Sequence, residues 1–414
     1  MNSSLNPVVL SIVQSASGGF LLEDGEALSG LFVFTDTVIA QLGSALSDVS
    51  DFSSYQVAIL DDAFARFTIA YLQYVRDYPH SDASQRSKLM LKIAAYFEPV
   101  FMPSGRFWLL PVLRAIAASL YRLSRNADRL EMGGKKAQVQ AASQLQGLLR
   151  VVLSDRDTLP DSKHGGALFV AALLVRVSLK IGVMPPAHGA IGNVAEAGLD
   201  FRWFSLRDQM TYRYWAGRYY LVCYRFEAAR RELEYAFNAC PAYHVHNKHA
   251  ILRHLVVANM VRGRLPTQYL LSKYNVEPVF GILVHHFRQG NVAAFQTVLI
   301  DNMEFFRSQG TFLILYERTE VLMYRNVLKK LRNMLAQEQQ AHKVIPYRQI
   351  LTAFRVASRN PDMDVFEMES IVASLISQRY IQGYLFHHQQ VLNLGSKTPF
   401  PHIKDVGLPG GQQG

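Results

Sequence analysis

From residue 55 to residue 379 the apolar positions of this chain recur at spacings of three and four, and after Arg379 that spacing stops. Spacings of three and four make one face of an amphipathic helix, whereas short alternating runs make strands. The change falls inside MESIVASLISQRYIQGYLFHHQQVLNL, residues 368–394. Ile371, Val372, Leu375 and Ile376 keep the helical spacing; Tyr380-Ile381, Tyr384-Leu385-Phe386 and Val391-Leu392 do not, and a polar knot at His387-His388-Gln389-Gln390 divides the later runs. This predicts a helix feeding a two-stranded hairpin, with strands at 381–386 and 390–394. Helices are expected before it over 320–340, 347–357 and 366–378. Three helices and then a hairpin are the order of a winged helix.

Upstream, TYRYWAGRYYLVCYRFEAARRELEYAFNACP (residues 211–241) reads as two helices pivoting near Tyr224-Arg225-Phe226. Ala216 and Gly217 are small enough for the helices to cross closely, and Pro241 ends the second one. That is the design of a tetratricopeptide-like hairpin. Further helical pairs follow, with Gly263, Gly290 and Gly310 as stops. Their period is loose, so the repeat is degenerate. The fold class is mainly α: a helical-repeat (TPR-like) solenoid followed by a C-terminal winged helix. The expected divisions are a poorly defined segment 1–54, an N-terminal helical region 55–198, the helical repeats 199–317, the winged helix 318–404 and a tail 405–414. Residues 181–198, rich in Gly, Pro and Ala, read as an irregular connection and an insertion point.

Composition narrows the function. Half of the 414 residues are hydrophobic and 18% are charged, with a formal net charge of +10. This is globular rather than disordered, and it favours an acidic partner: nucleic acid, acidic protein or anionic membrane. Cys223 and Cys240 supply neither a disulfide framework nor a zinc quartet, which predicts a reducing compartment. The apolar run at 167–182 is interrupted by Arg176 and Lys180 and reads as a buried core helix rather than a membrane span. A soluble intracellular protein is expected. No phosphate-cradling Gly loop, HExxH or GxSxG motif is present. HVHNKH (residues 244–249), with His254 beyond it, lacks an acid or thiol to complete a metal set. No catalytic residue, metal or cofactor is expected.

Several runs then resemble one family: DSKHGGALFV (161–170), TYRYWAGR (211–218), NKHAIL (247–252), GRLPTQYLLSKY (263–274), RQGN (288–291), MYRNVLKK (323–330) and TPFPHI (398–403). Spread over residues 61–403, they are similar to PCI-domain proteins, in the branch of the TREX-two mRNA-export complex PCI subunit and the signalosome-associated twelfth subunit. The resemblance implies a non-catalytic scaffold whose winged helix lies beside that of a larger PCI scaffold of the Sac/GANP type. It also implies a small acidic Sem/DSS-type partner, RNA or DNA on a basic winged-helix face, and a nuclear location, at or shuttling through nuclear pores. The signalosome-associated or transcription/splicing-coupled paralogue shares these motifs. A self-sufficient RNA-binding protein is the alternative outside the scaffold class.

Charge selects the candidate residues. Residues 318–404 hold twelve Lys/Arg against six carboxylates. Arg325, Lys329 and Arg332 fall at spacings of four and three, hence on one helix face. With Lys330, Arg379 and Lys397 they are the candidate phosphate contacts. Residues 200–264 hold eleven basic residues against five acidic ones, interleaved with aromatics. Arg230 and Arg231 are the candidate contacts for an acidic peptide. A hairpin edge over 389–394, with Tyr384, Phe386, Val391 and Leu392, is the candidate edge for a PCI partner.

Overall fold

The computed structural model describes residues 6–49, 51–52, 54–55, 59, 61–130, 134–337, 343–395, 398–403 and 406. The chain divides into two compact units, residues 1–216 and 217–414.

Among the described residues the regular structure of the first unit is all helix: α1 (Pro7–Leu21), α2 (Gly25–Leu31), α3 (Asp36–Leu46), α4 (Asp62–Asp77), α5 (Ala83–Phe101), α6 (Leu110–Leu130), α7 (Lys136–Leu153), α8 (Ala167–Ile181), α9 (Pro185–Glu196) and the start of α10 (Leu206–Val222). Local chemistry sets the starts. Asp61 caps α4 by accepting from the Phe64 N–H at 2.8 Å, and Asp82 with Gln85 forms a capping box on α5. The core is aromatic: Phe32 meets Phe67 and Tyr71 edge-on, with ring centres 4.9 and 5.0 Å away. In α8, Leu168, Val170, Leu174, Val175 and Val177 are wholly buried.

Two expectations in this unit are revised. Part of the N-terminal segment left undefined by its Ser/Gly content is helical, because Asn6 caps α1 and Val9, Ile12, Val13 and Ala16 form a buried stripe. The stretch 181–198 is no irregular insertion. Pro185 stands at the first turn of α9, where a missing N–H costs nothing, and Ala187, Ala190, Ile191 and Val194 bury one face.

The second unit continues with α11 (Phe226–Ala239), α12 (Val245–Met260), α13 (Gln268–Lys273), α14 (Glu277–Gln289), α15 (Val292–Asp301), α16 (Met303–Gln309) and α17 (Phe312–Gln337). The crossing expected of Gly217 is observed: a Cβ there would lie 2.7 Å from Cγ of Leu233. The winged helix then closes the unit with β1 (Val344–Pro346), α18 (Tyr347–Ser358), α19 (Val365–Ser377), β2 (Gly383–Phe386) and β3 (Val391–Leu394). Its core is Ile345, Ile350, Phe354, Met368, Val372, Leu375 and Leu392, each fully buried. The sheet order is β1-β3-β2, all antiparallel, with Ile345 and Leu385 flanking Leu392.

Candidate docking and nucleic-acid faces

Because β1 pairs with β3, the second hairpin strand is the middle of the sheet and not its edge. The expected docking edge over 389–394 is therefore occupied, and Leu392 is core. Val391, half-buried, faces Pro346 on one side and Phe386 on the other. Both outer strands, β1 and β2, have β3 alone as strand partner among the described residues, and β2 is the one that carries exposed aromatics. Tyr384 and Phe386 alternate outward on it, 75% and 43% exposed. Phe366, in the first turn of α19 and 71% exposed, lies 6.3 Å from the His387 ring at the wing tip. Phe366 was detectable in sequence as an aromatic off the buried Met368-Val372-Leu375 stripe.

The wing is braced from behind. The Tyr347 hydroxyl donates to Oε1 of Glu369 at 2.8 Å, and Nδ1 of His387 lies 2.9 Å from Oε2 of the same carboxylate. One carboxylate thus joins α18, α19 and the wing tip, and burial followed by the Glu369 bond pushes the Tyr347 phenol above its ordinary range.

The basic candidates separate. Arg325 is buried and cannot meet a phosphate. Its Nε donates to the Tyr380 carbonyl at 3.1 Å and a terminal nitrogen to the Pro401 carbonyl at 2.6 Å. The chain after the wing closes over α17, and burial lowers the guanidinium's proton affinity. Lys329 is exposed, as is Lys330, whose ammonium donates to the Gln289 carbonyl at 2.8 Å; Arg332 is half-buried. Arg379 is exposed just past α19, with φ at 61°. Lys397 lies outside the described residues. Helix α19 itself carries Glu367 and Glu369 and no cation, so it repels phosphates and has no Arg, Asn or Gln to read bases.

Arg230 is also committed. It pairs with Glu227 at 2.7 Å and with Glu234, and Arg262 holds the other oxygen of Glu227 at 2.7 Å. The Arg230 bond holds the Glu227 carboxyl below its usual range. An incoming acidic peptide would have to displace these carboxylates. Arg231, 70% exposed and 3.7 Å from Glu232, stays available. Phe204, Tyr212, Trp215 and Tyr219 among the interleaved aromatics are buried, and basic side chains of this segment lie over rings: Arg225 over half-buried Tyr220 at 5.3 Å, Lys248 over Phe237 at 4.4 Å. Part of the basic surplus in this region is thereby explained as packing.

A helical repeat closed by a winged helix is mirrored in the comparisons with known proteins. The PCI domain model matches residues 299–396. PCI domain-containing protein 2 of Danio rerio is 29% identical over 84% of this chain and 87% of its own length. The homologue of that protein in Caenorhabditis briggsae is 30% identical over 72% of each chain. The chain belongs to the PCI domain-containing protein 2 family. Enhanced ethylene response protein 5 of Arabidopsis thaliana is similar too, 29% identical over 75% of each chain. For this PCI protein the family indicates a scaffold-type subunit of the kind that assembles with other PCI proteins. The matched PCI domain contains α17, α18, α19 and the three strands; Arg230 and Arg231 lie outside it.

Proposed function

We propose that this chain is a non-catalytic adaptor of a nuclear TREX-two-like complex. It pairs through its winged helix with a larger PCI scaffold of the Sac/GANP type, receives a small acidic Sem/DSS-type protein, and helps the assembly hold RNA in transcription-coupled mRNA export. The observation that carries the pairing is the unpartnered side of β2 beside three exposed aromatics, Phe366, Tyr384 and Phe386. An open strand edge adds strands from a partner, and aromatics beside it supply the anchoring area. RNA holding falls to the exposed face of α17, at Lys329, Lys330 and Arg332, with Arg379.

Affinity purification from nuclear extract tests the assembly: a Sac/GANP-type PCI chain is expected in stoichiometric amount. Recovery of signalosome subunits in its place would assign the chain to the other branch. RNA affinity of the purified assembly at several salt concentrations tests the basic face. Removing one cation that meets a phosphate should flatten the slope of log affinity against log salt by about 0.7 for single strands. Alanine at Lys329, Lys330 and Arg332 should therefore weaken unrelated RNAs alike. Equal slopes would remove RNA from this face, and tight, salt-steep binding by the chain alone would favour a self-sufficient RNA-binding protein.

A further inference from the structure

Within the second unit, the end of α17, the outer face of α18 and the turn between α14 and α15 enclose a groove of about 840 Å³. Its walls are Val327, Leu331, Met334, Leu335, Ala353 and Val356. Val356 is 74% exposed and Met334 59%, so two large apolar side chains that could have been polar face water here. The groove is built closely at its far end: a Cβ on Gly290, whose φ is 70°, would stand 2.7 Å from Val327.

The charged groups at this groove are of one sign. Lys330 and Arg348 line it, and no carboxylate does among the described residues. The Lys330 ammonium is held over one end by the Gln289 carbonyl, leaving two N–H groups to give. Oε1 of Gln349 is buried in the lining with no hydrogen-bond partner among the described residues. A buried acceptor without a donor is costly, typically about 1–3 kcal/mol, unless something else supplies one.

We propose that this groove receives a short amphipathic helix from an acidic partner protein. The walls from Val327 to Leu335 run about two helical turns, roughly 12 Å, which suits aliphatic anchors at i, i+3 or i+4, and i+7. Carboxylates flanking the anchors meet Lys330 and Arg348, and a side-chain donor between them satisfies Gln349. Nucleic acid is the poorer fit, because phosphates would lose water against apolar walls. This surface shares Lys330 with the basic face of α17 but is separate from the β2 edge, and it stands whether or not the pairing proposed above is correct.

The test uses the full chain with isotope-labelled methionine methyls and two synthetic helices. Both carry leucines at i, i+3, i+4 and i+7; one is flanked by Glu and the other by Lys. The acidic helix should bind with a Kd on the order of 10 μM and move the Met334 methyl signal, and the basic one should bind at least about tenfold more weakly. Val356→Glu should cost the acidic helix about tenfold or more, and Arg348→Glu should erase the preference between the two. Both side chains are exposed, and an unchanged circular-dichroism melt shows that the fold persists. Equal binding of the two helices, acidic binding indifferent to both substitutions, or a Met334 signal moved by single-stranded RNA instead would overturn the proposal. So would self-association abolished by Val356→Glu, which would assign the groove to a second copy. Neither substitution touches Lys329, Lys330, Arg332 or β2, so failure here leaves the adaptor reading standing.

Discussion

Arg325 on α17 and Tyr380 at the base of the wing are joined side chain to backbone, Nε to carbonyl at 3.1 Å, with no carboxylate of the described residues on the guanidinium. A second donation to the Pro401 carbonyl and the Phe400 ring 5.8 Å away complete the enclosure. Arg325 therefore works as a clamp that holds the chain after the wing against α17.

Replacing Arg325 with Met should strand both carbonyls, costing roughly 1–3 kcal/mol for each group left buried without a donor. Lysine should rescue only in part, since one ammonium does not reproduce a planar fork across two acceptors. Chemical denaturation of the full chain reads the loss. The salt slope of RNA binding at conditions where the variant stays folded should equal the wild type; a flatter slope would restore Arg325 as a phosphate ligand.

Arg325 also shows what the sequence could not disclose. The spacing of 325, 329 and 332 does place three cations on one helical face, but a distant segment, 398–403, covers the first of them. Nothing within α17 announces that. The same limit hid β1, three residues long and containing Pro346, which moves β3 from edge to centre. Signals that act locally were legible: the stop at Gly310, the pivot at Tyr224 and the helix-to-hairpin change after Arg379 each depend on neighbouring residues alone. Composition misled at 181–198, because proline in the first turn of a helix and proline inside one have opposite effects.

Lys163 and Asp155 form the most enclosed ion pair among those of the described residues, both side chains 3% exposed, Nζ and Oδ1 3.7 Å apart. The ammonium also donates to the Met102 carbonyl at 2.9 Å. Lys163→Met should destabilise the first unit by about 3–5 kcal/mol, because it leaves a buried carboxylate without its countercharge. Adding Asp155→Asn should recover a large part of that loss, and denaturant midpoints of the two variants measure the difference.

Asp155 makes that stability acid-sensitive. Burial pushes its carboxyl up, but the Lys163 N–H at 2.7 Å, the Ser162 hydroxyl at 2.9 Å and the Lys163 charge outweigh burial and hold it low. A depressed carboxyl contributes fully above its unfolded value, about 3.9, and the contribution fades as pH falls through the lower folded value. Stability against pH should thus drop more steeply below about pH 4 in the wild type than in Asp155→Asn. Parallel curves would show that the carboxyl is not held low.

Arg230→Glu should set a third carboxylate between Glu227 and Glu234, lowering the melting temperature and weakening every interaction of the second unit together. Arg231→Glu should leave the melt unchanged, as exposed single charges contribute under about 1 kcal/mol. Loss of a small acidic partner in Arg231→Glu alone would therefore identify direct binding there. Retention in that variant would place the acidic chain elsewhere.

The decisive surface is the outer side of β2. Lysine at both Tyr384 and Phe386 should leave the fold within about 0.5 kcal/mol of wild type, since neither side chain is part of the core. A charged edge strand resists strand addition, and removing two aromatic anchors at about 2 kcal/mol each would weaken a partner by several hundred-fold. Titration calorimetry against the co-purified PCI scaffold measures that loss. Asn393→Lys is the control: it is exposed but lies on the central strand, so it leaves the open edge intact. If the two β2 lysines are tolerated and Asn393→Lys is not, the partner reads the face of the sheet rather than its edge. Strand addition would then be the wrong geometry for this winged helix.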